Sequence, residues 1–96
     1  MRERPPIHPG ETLQEFLEDY NITAYRLAKD TGMQRIRISQ ILKGERSITA
    51  DTALRLGHYF GVSAQYWMGL QTRYDVELAK MDLAETLSNM PVLVAT

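Results

Sequence analysis

The side chains in this sequence that are best suited to chemistry are the basic ones between residues 23 and 46. This stretch holds six lysines and arginines against two acidic residues, a local charge of +4, whereas the whole chain of 96 residues carries −1. Phosphate is attracted by a local basic face and not by the net charge of a chain. The stretch therefore predicts contact with nucleic acid. The alternative is a solvated basic face of a helix.

Two short helices joined by a turn that contains glycine are predicted to position these side chains. Thr23 can cap the first helix, and Gly32 can end it in a left-handed conformation. The second helix extends from about residue 34 to 43 and stops at Gly44. This layout predicts a helix-turn-helix, whose second helix lies in the major groove of DNA.

The second of these helices has a buried face and an exposed face. At about 100° per residue, Ile38, Ile41 and Leu42 point to one side, and polar residues occupy the other. The candidates for base contacts are Arg35, Ile36, Ser39 and Gln40. Ile36 suits a thymine methyl group, Gln40 suits adenine and Arg35 suits guanine. The alternative for Gln40 is a solvated helix surface, and a lone exposed isoleucine often has no role.

Candidates for phosphate contacts surround these four residues. They are Thr23, Gln34, Arg37, Lys43 and Arg46. Basic side chains, hydroxyls and backbone amides at helix N-termini bond phosphate oxygens and fix the register of a protein on the duplex. For each charged member, a solubilising surface charge is the alternative.

Apolar residues recur at helical spacing in three further segments, which extend over about residues 9–20, 49–61 and 63–81. Thr49 and Ser63 can cap the second and the third of these segments, and Gly61 can end the second. Residues 82–89 either extend the last helix or form a sixth one. Pro91 breaks any helix, and no strand pattern occurs before residue 90. The sequence thus predicts an all-α domain of five helices over residues 1–80 and a C-terminal tail over 81–96.

Several classes of protein are excluded or disfavoured by composition. The chain has no cysteine, and its two histidines, His8 and His58, are far apart, so we expect no metal site and no cofactor. The acidic pairs fall on exposed helix faces without a pocket, which disfavours an enzyme. No apolar run approaches the roughly 20 residues of a membrane span, and residues 1–6 lack the apolar core of a secretion signal. We therefore expect a cytoplasmic protein without a membrane partner.

The fifth helix and the tail hold more apolar side chains than five short helices need to bury. One recognition helix contacts too little DNA for specificity, and helix-turn-helix dimers place two of them about 34 Å apart. The sequence therefore predicts a homodimer on a palindrome. The candidates for the dimer or partner surface are Trp67, Leu70, Tyr74, Leu78, Val92, Leu93 and Val94. Base stacking on nucleic acid is another interpretation of the two aromatic residues, but their helical spacing favours core packing or subunit contact. The tail is either frayed or pairs with a partner chain as an edge strand.

The order of four blocks along the chain resembles a known family. Residues 27–44 resemble the helix-turn-helix core of phage-repressor-like regulators of the xenobiotic-response-element (XRE) type. The blocks at residues 8–11, 42–44, 48–56 and 66–75 are, in this order, similar to HigA antitoxins of the VapI group. The resemblance covers about residues 8–78. It implies a five-helix, lambda-repressor-like fold in a bacterial dimer that binds the palindromic operator of its own operon. It also implies neutralisation of a small, ribosome-dependent mRNA-interferase toxin.

Two other functions remain open beside that resemblance. One is a stand-alone phage-type repressor without a toxin, and the other is a protein-interaction module that has lost DNA binding. Gln34, Ile36 and Arg37 stand where the commoner family sequence has a Ser-Arg-Gln-Thr run, so a different operator sequence is expected. A basic RNase toxin would suit either of two acidic segments, residues 1–22 or residues 47–96.

Overall fold

The computed structural model describes residues 5–94, and over that range the chain forms five helices and no strand. They are α1 (Pro9–Asp19), α2 (Ala24–Thr31), α3 (Arg35–Leu42), α4 (Ala50–Phe60) and α5 (Ala64–Asn89). The predicted all-α architecture is confirmed. Of the two predictions for residues 82–89, the structure shows the first, because these residues continue α5. Over residues 5–94, none of the helices combines the length and the apolar character that a membrane span needs.

The predicted capping residues begin and end the helices. The side-chain oxygens of Thr23, Thr49 and Ser63 each accept a hydrogen bond from the backbone N–H three residues on, at 3.0–3.4 Å. These bonds satisfy N–H groups that have no partner within the first helical turn. At the C-termini of α2 and α4, Gly32 and Gly61 have φ angles of 73° and 72°, a left-handed conformation that other residues rarely adopt.

A histidine caps α1. Nδ1 of His8 accepts a hydrogen bond from the backbone N–H of Gly10 at 2.9 Å, and the edge of the buried ring packs on Tyr74. Burial lowers the pKa of His8, an effect that the carboxylate of Glu11 partly offsets. Only a ring with an unprotonated Nδ1 accepts this bond. His8 therefore caps α1, whereas His58 is exposed on α4.

The core receives side chains from all five helices. Its buried apolar members are Leu13, Leu17, Leu27, Ala28, Met33, Ile38, Ile41, Ile48, Ala53, Leu56 and Trp67. The prediction of Trp67 as a dimer or partner surface is wrong, because its side chain is fully buried. The indole ring packs against Phe16 with ring centroids 4.9 Å apart. Burial of this large ring inside the monomer stabilises the fold and leaves none of it for a second chain.

A buried glutamine ties the loop between α3 and α4 to α5. Oε1 of Gln71 accepts the backbone N–H of Ile48 at 2.7 Å, and Nε2 of Gln71 donates to Asp75 at 2.9 Å. A buried backbone N–H that lacks a partner is costly. The side chain of Gln71 therefore fixes the path of the chain shortly after α3.

The second half of α5 extends beyond the core. The helix has 26 residues, about 39 Å at 1.5 Å per residue, and every residue from 78 to 94 is exposed. Val92, Leu93 and Val94 follow the helix without strand pairing inside the described range. The predictions for the N-terminal signal and for the tail also include residues 1–4 and 95–96, which lie outside the described residues.

Candidate nucleic-acid interface

α3 has the two faces that its sequence predicts. Ile38 and Ile41 are fully buried against the core. On the other side lie the four candidates for base contacts, which we call the recognition face: Arg35, Ile36, Ser39 and Gln40. Ile36 is 56% exposed among polar neighbours. An apolar group in that position is available to pack on a thymine methyl.

Tyr25 of α2 adjoins the recognition face, and sequence reasoning missed it. Its ring is 59% exposed, and the guanidinium carbon of Arg35 lies 5.3 Å from the ring centroid. Tyr25 also lines a shallow groove with Arg35, Ile36 and Ser39. The cation–π contact restrains Arg35 at the start of α3. The signal in the sequence was an aromatic residue two positions after the capping Thr23.

Asp51 of α4 holds one of the predicted phosphate ligands. Its Oδ1 accepts hydrogen bonds from Nε of Arg55 at 2.8 Å and from Nη1 of Arg37 at 2.9 Å. Arg55 also donates to the backbone carbonyl of Thr31 at 2.7 Å, which links α4 to α2. These hydrogen bonds, that of Arg55 first, lower the pKa of Asp51. Nη1 of Arg37 also donates to the hydroxyl oxygen of Thr52 at 3.4 Å. Arg37 is thus partly engaged, and the N–H groups that Asp51 and Thr52 leave unused are the ones available to phosphate.

Arg46 and Gln40 form a pair that their separate assignments did not predict. Arg46 lies in the loop after α3, and its Nε donates to Oε1 of Gln40 at 2.8 Å. A predicted phosphate ligand and a predicted base ligand are therefore joined. The sequence separation of six residues carries no helical signal for this contact, since the chain leaves the helix between them.

The remaining predicted phosphate ligands lie at the ends of α2 and α3. Gln34 is the N-cap residue of α3, yet its side chain makes no capping bond. Lys43 is exposed at the other end of α3. The hydroxyl oxygen of Thr23 accepts from the backbone N–H of Arg26, which leaves its O–H free to donate. Side chains at both ends of a recognition helix suit the phosphates that flank a groove.

The other residues predicted for the dimer surface are more accessible than Trp67. Leu70 and Tyr74 are half-buried, whereas Leu78 and residues 92–94 are exposed. The structure therefore leaves these residues available to a second chain, in part or in full.

α5 also carries an apolar stripe that sequence reasoning missed, and we call it the distal stripe. Its members are Val76, Ala79, Leu83 and Leu87, together with Met90, the C-cap residue that follows the helix. They recur at helical spacing, and at about 100° per residue they lie opposite the side that contains Trp67 and Tyr74. Leu83 and Leu87 are each 45% exposed. Because α5 has apolar stripes on two opposite faces, its apolar residues do not point to one side. The periodicity of the sequence therefore does not single out the second stripe.

Comparison with known proteins agrees with this geometry. Residues 13–67 match the helix-turn-helix family. Virulence-associated protein I of Dichelobacter nodosus is 48% identical over 81 residues, which are 83% of this chain and 75% of that protein.

Solved structures of similar proteins cover almost the whole chain. An addiction module antidote protein of the HigA family from Coxiella burnetii has a TM-score of 0.90 and 39% identity, and the match covers 95% of this chain and 100% of that one. Pseudomonas aeruginosa antitoxin HigA, solved with the higBA promoter, has a TM-score of 0.87 and 37% identity over 93% of this chain and 99% of its own. The family is one of helix-turn-helix transcription regulators and antitoxins, not of enzymes. The chain therefore belongs to the XRE-type helix-turn-helix family and, within it, to the HigA antitoxins of the VapI group.

Proposed function

We propose that this chain is a cytoplasmic bacterial antitoxin that represses its own operon by binding operator DNA through α3. The observation that carries the proposal is the recognition face, on which the exposed Arg35 and Ile36 and the half-buried Gln40 lie among cationic side chains. The structure of P. aeruginosa HigA with the higBA promoter supports it, because that protein has the same fold.

The chemistry of binding follows from where the side chains lie. With α3 in the major groove, Arg35 is placed to bond O6 and N7 of a guanine, and Ile36 to pack on a thymine methyl. Arg37, Lys43 and the O–H of Thr23 contact phosphates and set the register. Each phosphate that is neutralised steepens the salt dependence of binding, by about 0.9 in the logarithmic slope. Repression is then steric, because the bound protein covers the promoter.

The distal stripe supports a homodimer on a palindromic operator. In an antiparallel pair of α5 helices centred on Leu83, Val76 of one copy faces Met90 of the other, and Ala79 faces Leu87. The stripe is thus complementary to itself, as a two-fold interface requires. Leu70, Tyr74, Leu78 and residues 92–94 are available to extend such an interface.

The antitoxin function requires a second protein surface, for a small basic mRNA-interferase toxin. α1 carries Glu11, Glu15, Glu18 and Asp19 and no basic residue. Tyr20, which follows α1 directly, is exposed and adds an aromatic anchor beside these charges. This charge is complementary to a basic RNase, and bound there the chain would block the toxin's active surface or its access to the ribosome.

A duplex titration tests the DNA-binding function. The operon's own upstream region is titrated at two salt concentrations with the wild type, with Arg35→Ala/Gln40→Ala, and with Arg73→Ala as a control that removes an exposed charge from α5. Loss of two base contacts at 1–3 kcal/mol each should weaken specific binding about a hundredfold. The control should bind like the wild type. Equal binding of the wild type and the double variant would contradict the proposal.

A separate experiment tests the antitoxin function. The chain is co-expressed with the product of any small neighbouring reading frame whose expression alone stops growth. We expect growth to be restored and the two proteins to co-purify. Arg35→Ala/Gln40→Ala should still restore growth, since α3 is not the proposed toxin surface. Failure of the wild type to restore growth would leave a repressor without a toxin as the function.

A further inference from the structure

The hydrogen bond between Arg46 and Gln40 changes which bases Gln40 is able to recognise. A free glutamine amide offers one donor group and one acceptor, a combination that matches N7 and the N6 amino group of adenine. Here Nε of Arg46 donates to the Gln40 side chain at 2.8 Å. The Nε atom of arginine is only a donor, so its partner has to be the amide oxygen. The orientation of the Gln40 amide is therefore fixed, with one of the two lone pairs of its oxygen already engaged.

What this pair presents to DNA is a set of donors. Both N–H groups of the Gln40 NH₂ remain available to donate hydrogen bonds, and the guanidinium of Arg46 adds a positive charge beside Oε1. Within residues 5–94, no carboxylate lies at ion-pair distance from Arg46 to neutralise it. Such a cation repels the N6 amino group of adenine and attracts O6 and N7 of guanine, which are both acceptors.

The fold holds Arg46 in place for this contact. The backbone N–H of Glu45 bonds to the carbonyl oxygen of Gln40 at 2.8 Å, so the loop folds back over the last turn of α3. Two residues after Arg46, the backbone N–H of Ile48 is held by the buried Gln71. The loop is thus fixed on both sides of Arg46, which lowers the backbone entropy lost when Arg46 makes this contact.

We propose that Arg46 determines specificity by making Gln40 a reader of guanine, so that each operator half-site carries guanine at the base pair that faces Gln40. The inference rests on the proposed function, because it requires α3 to lie in the major groove. It replaces the assignment of Gln40 to adenine that its side chain alone suggests. Arg46 acts here through Gln40 and is a positioning residue, in addition to any phosphate contact that it makes.

Selection from a duplex library that is randomised over the half-site tests this inference. The wild type is compared with Arg46→Ala, Gln40→Ala and Lys43→Ala, the last being a second exposed cation near the same end of α3. The position at which Gln40→Ala loses its preference identifies the base pair that Gln40 contacts. There the wild type should prefer guanine over adenine about tenfold, and Arg46→Ala should prefer adenine. Lys43→Ala should weaken binding to all sequences and keep the guanine preference.

The outcomes separate this inference from the function on which it rests. If the wild type prefers adenine at that position, or if Arg46→Ala keeps the guanine preference, the inference is wrong and the repressor function stands. If the wild type selects no sequence at all, the DNA-binding function and the inference both fail. Equal thermal unfolding midpoints for wild type and Arg46→Ala, expected for an exposed loop residue, show that a changed preference does not come from misfolding.

Discussion

α3 and the second half of α5 both expose large apolar side chains, but in opposite electrostatic surroundings. Residues 34–46, around Ile36, carry four basic side chains and one acidic one. Residues 75–89, around Leu83, carry four acidic side chains and one basic one. The first region attracts a phosphate backbone and the second repels it. Exposed apolar groups therefore suit DNA in one place and a protein surface in the other, and the local charge decides between them.

The two regions also differ in how their side chains are held. Around α3, Arg35 lies over Tyr25, Arg37 is bonded to Asp51, and Arg46 to Gln40. Residues 78–94 are all exposed. Side chains that are restrained before binding lose less entropy on a rigid ligand such as duplex DNA. An apolar stripe on a solvated helix instead gains free energy when another chain covers it.

The largest expected effect comes from a charge placed in the distal stripe. Leu83→Glu would bring two carboxylates together at the centre of the proposed two-fold contact, so we expect a monomer. Loss of the second half-site contact should weaken operator binding about a hundredfold or more. Light scattering at micromolar concentration measures the oligomeric state, and a duplex titration measures the affinity for the operator.

The control for Leu83→Glu is Leu54→Glu, which charges a leucine of α4 that is 63% exposed and lies outside the distal stripe. We expect this variant to remain dimeric and to bind operator like the wild type. A Leu83→Glu protein that stays dimeric would show that the distal stripe is not the dimer surface.

Sequence reasoning succeeded where the relevant contacts are local. The caps at Thr23, Thr49 and Ser63 and the left-handed Gly32 involve atoms within a few residues of each other, so residue type and spacing suffice to predict them. The buried and exposed faces of α3 followed from the helical period for the same reason. These local signals fixed the fold class and located the recognition face.

It failed where distant segments meet. Gln71 forms a hydrogen bond to Ile48, 23 residues away, and Arg37 forms one to Asp51, 14 residues away. No short sequence pattern predicts either contact. Trp67 lies on an apolar stripe that continues past the end of the core, and the sequence does not show where the core stops. Tertiary packing determines these contacts and the extent of the core, and it buries Trp67.

A second prediction disturbs α3 and leaves the distal stripe intact. In Gly10→Ala, the new methyl group would overlap the backbone carbonyl of Ile41, so α1 and α3 would have to move apart. Overpacking of this kind costs about 1–3 kcal/mol of the free energy of unfolding. We expect urea unfolding at lower concentration and weaker operator binding, while the dimer persists.

Gly69→Ala is the matched control for Gly10→Ala. Gly69 is exposed on α5, and a methyl group there would meet no atom within 4 Å. Because alanine favours the helix, this variant should gain roughly 0.5–1 kcal/mol in the free energy of unfolding. Equal stability of the two variants would mean that α1 and α3 do not pack as closely as described.

A third prediction concerns the tie between the α3–α4 loop and α5. Gln71→Leu keeps an apolar stem of similar size but leaves the backbone N–H of Ile48 without its partner. An unsatisfied buried N–H should lower the free energy of unfolding by about 1–2 kcal/mol. Gln65→Leu, at an exposed position of the same helix, should change it little. If urea unfolding gives the same midpoint for both variants, the Gln71 bond does not hold the loop.

The smallest expected effect is the pH dependence that His8 gives to the free energy of unfolding. Changes at His8 leave the distal stripe intact. Burial lowers the pKa of His8 below its ordinary value of 6.5, so the unfolded chain takes up a proton at a higher pH than the folded one. The contribution of the neutral ring is fully present above about pH 6.5, and the free energy of unfolding falls as the pH drops below that value.

His8→Asn, which keeps a capping oxygen but does not titrate, should flatten this dependence between about pH 7.5 and 5.5. His58→Asn, at an exposed site on α4, should retain it. The carboxyl groups of Asp30 and Asp51 do not interfere, because hydrogen bonds from Tyr59 and Arg55, respectively, lower their pKa values and they titrate in more acidic solution. Parallel pH profiles for His8→Asn and the wild type would assign the dependence to another group.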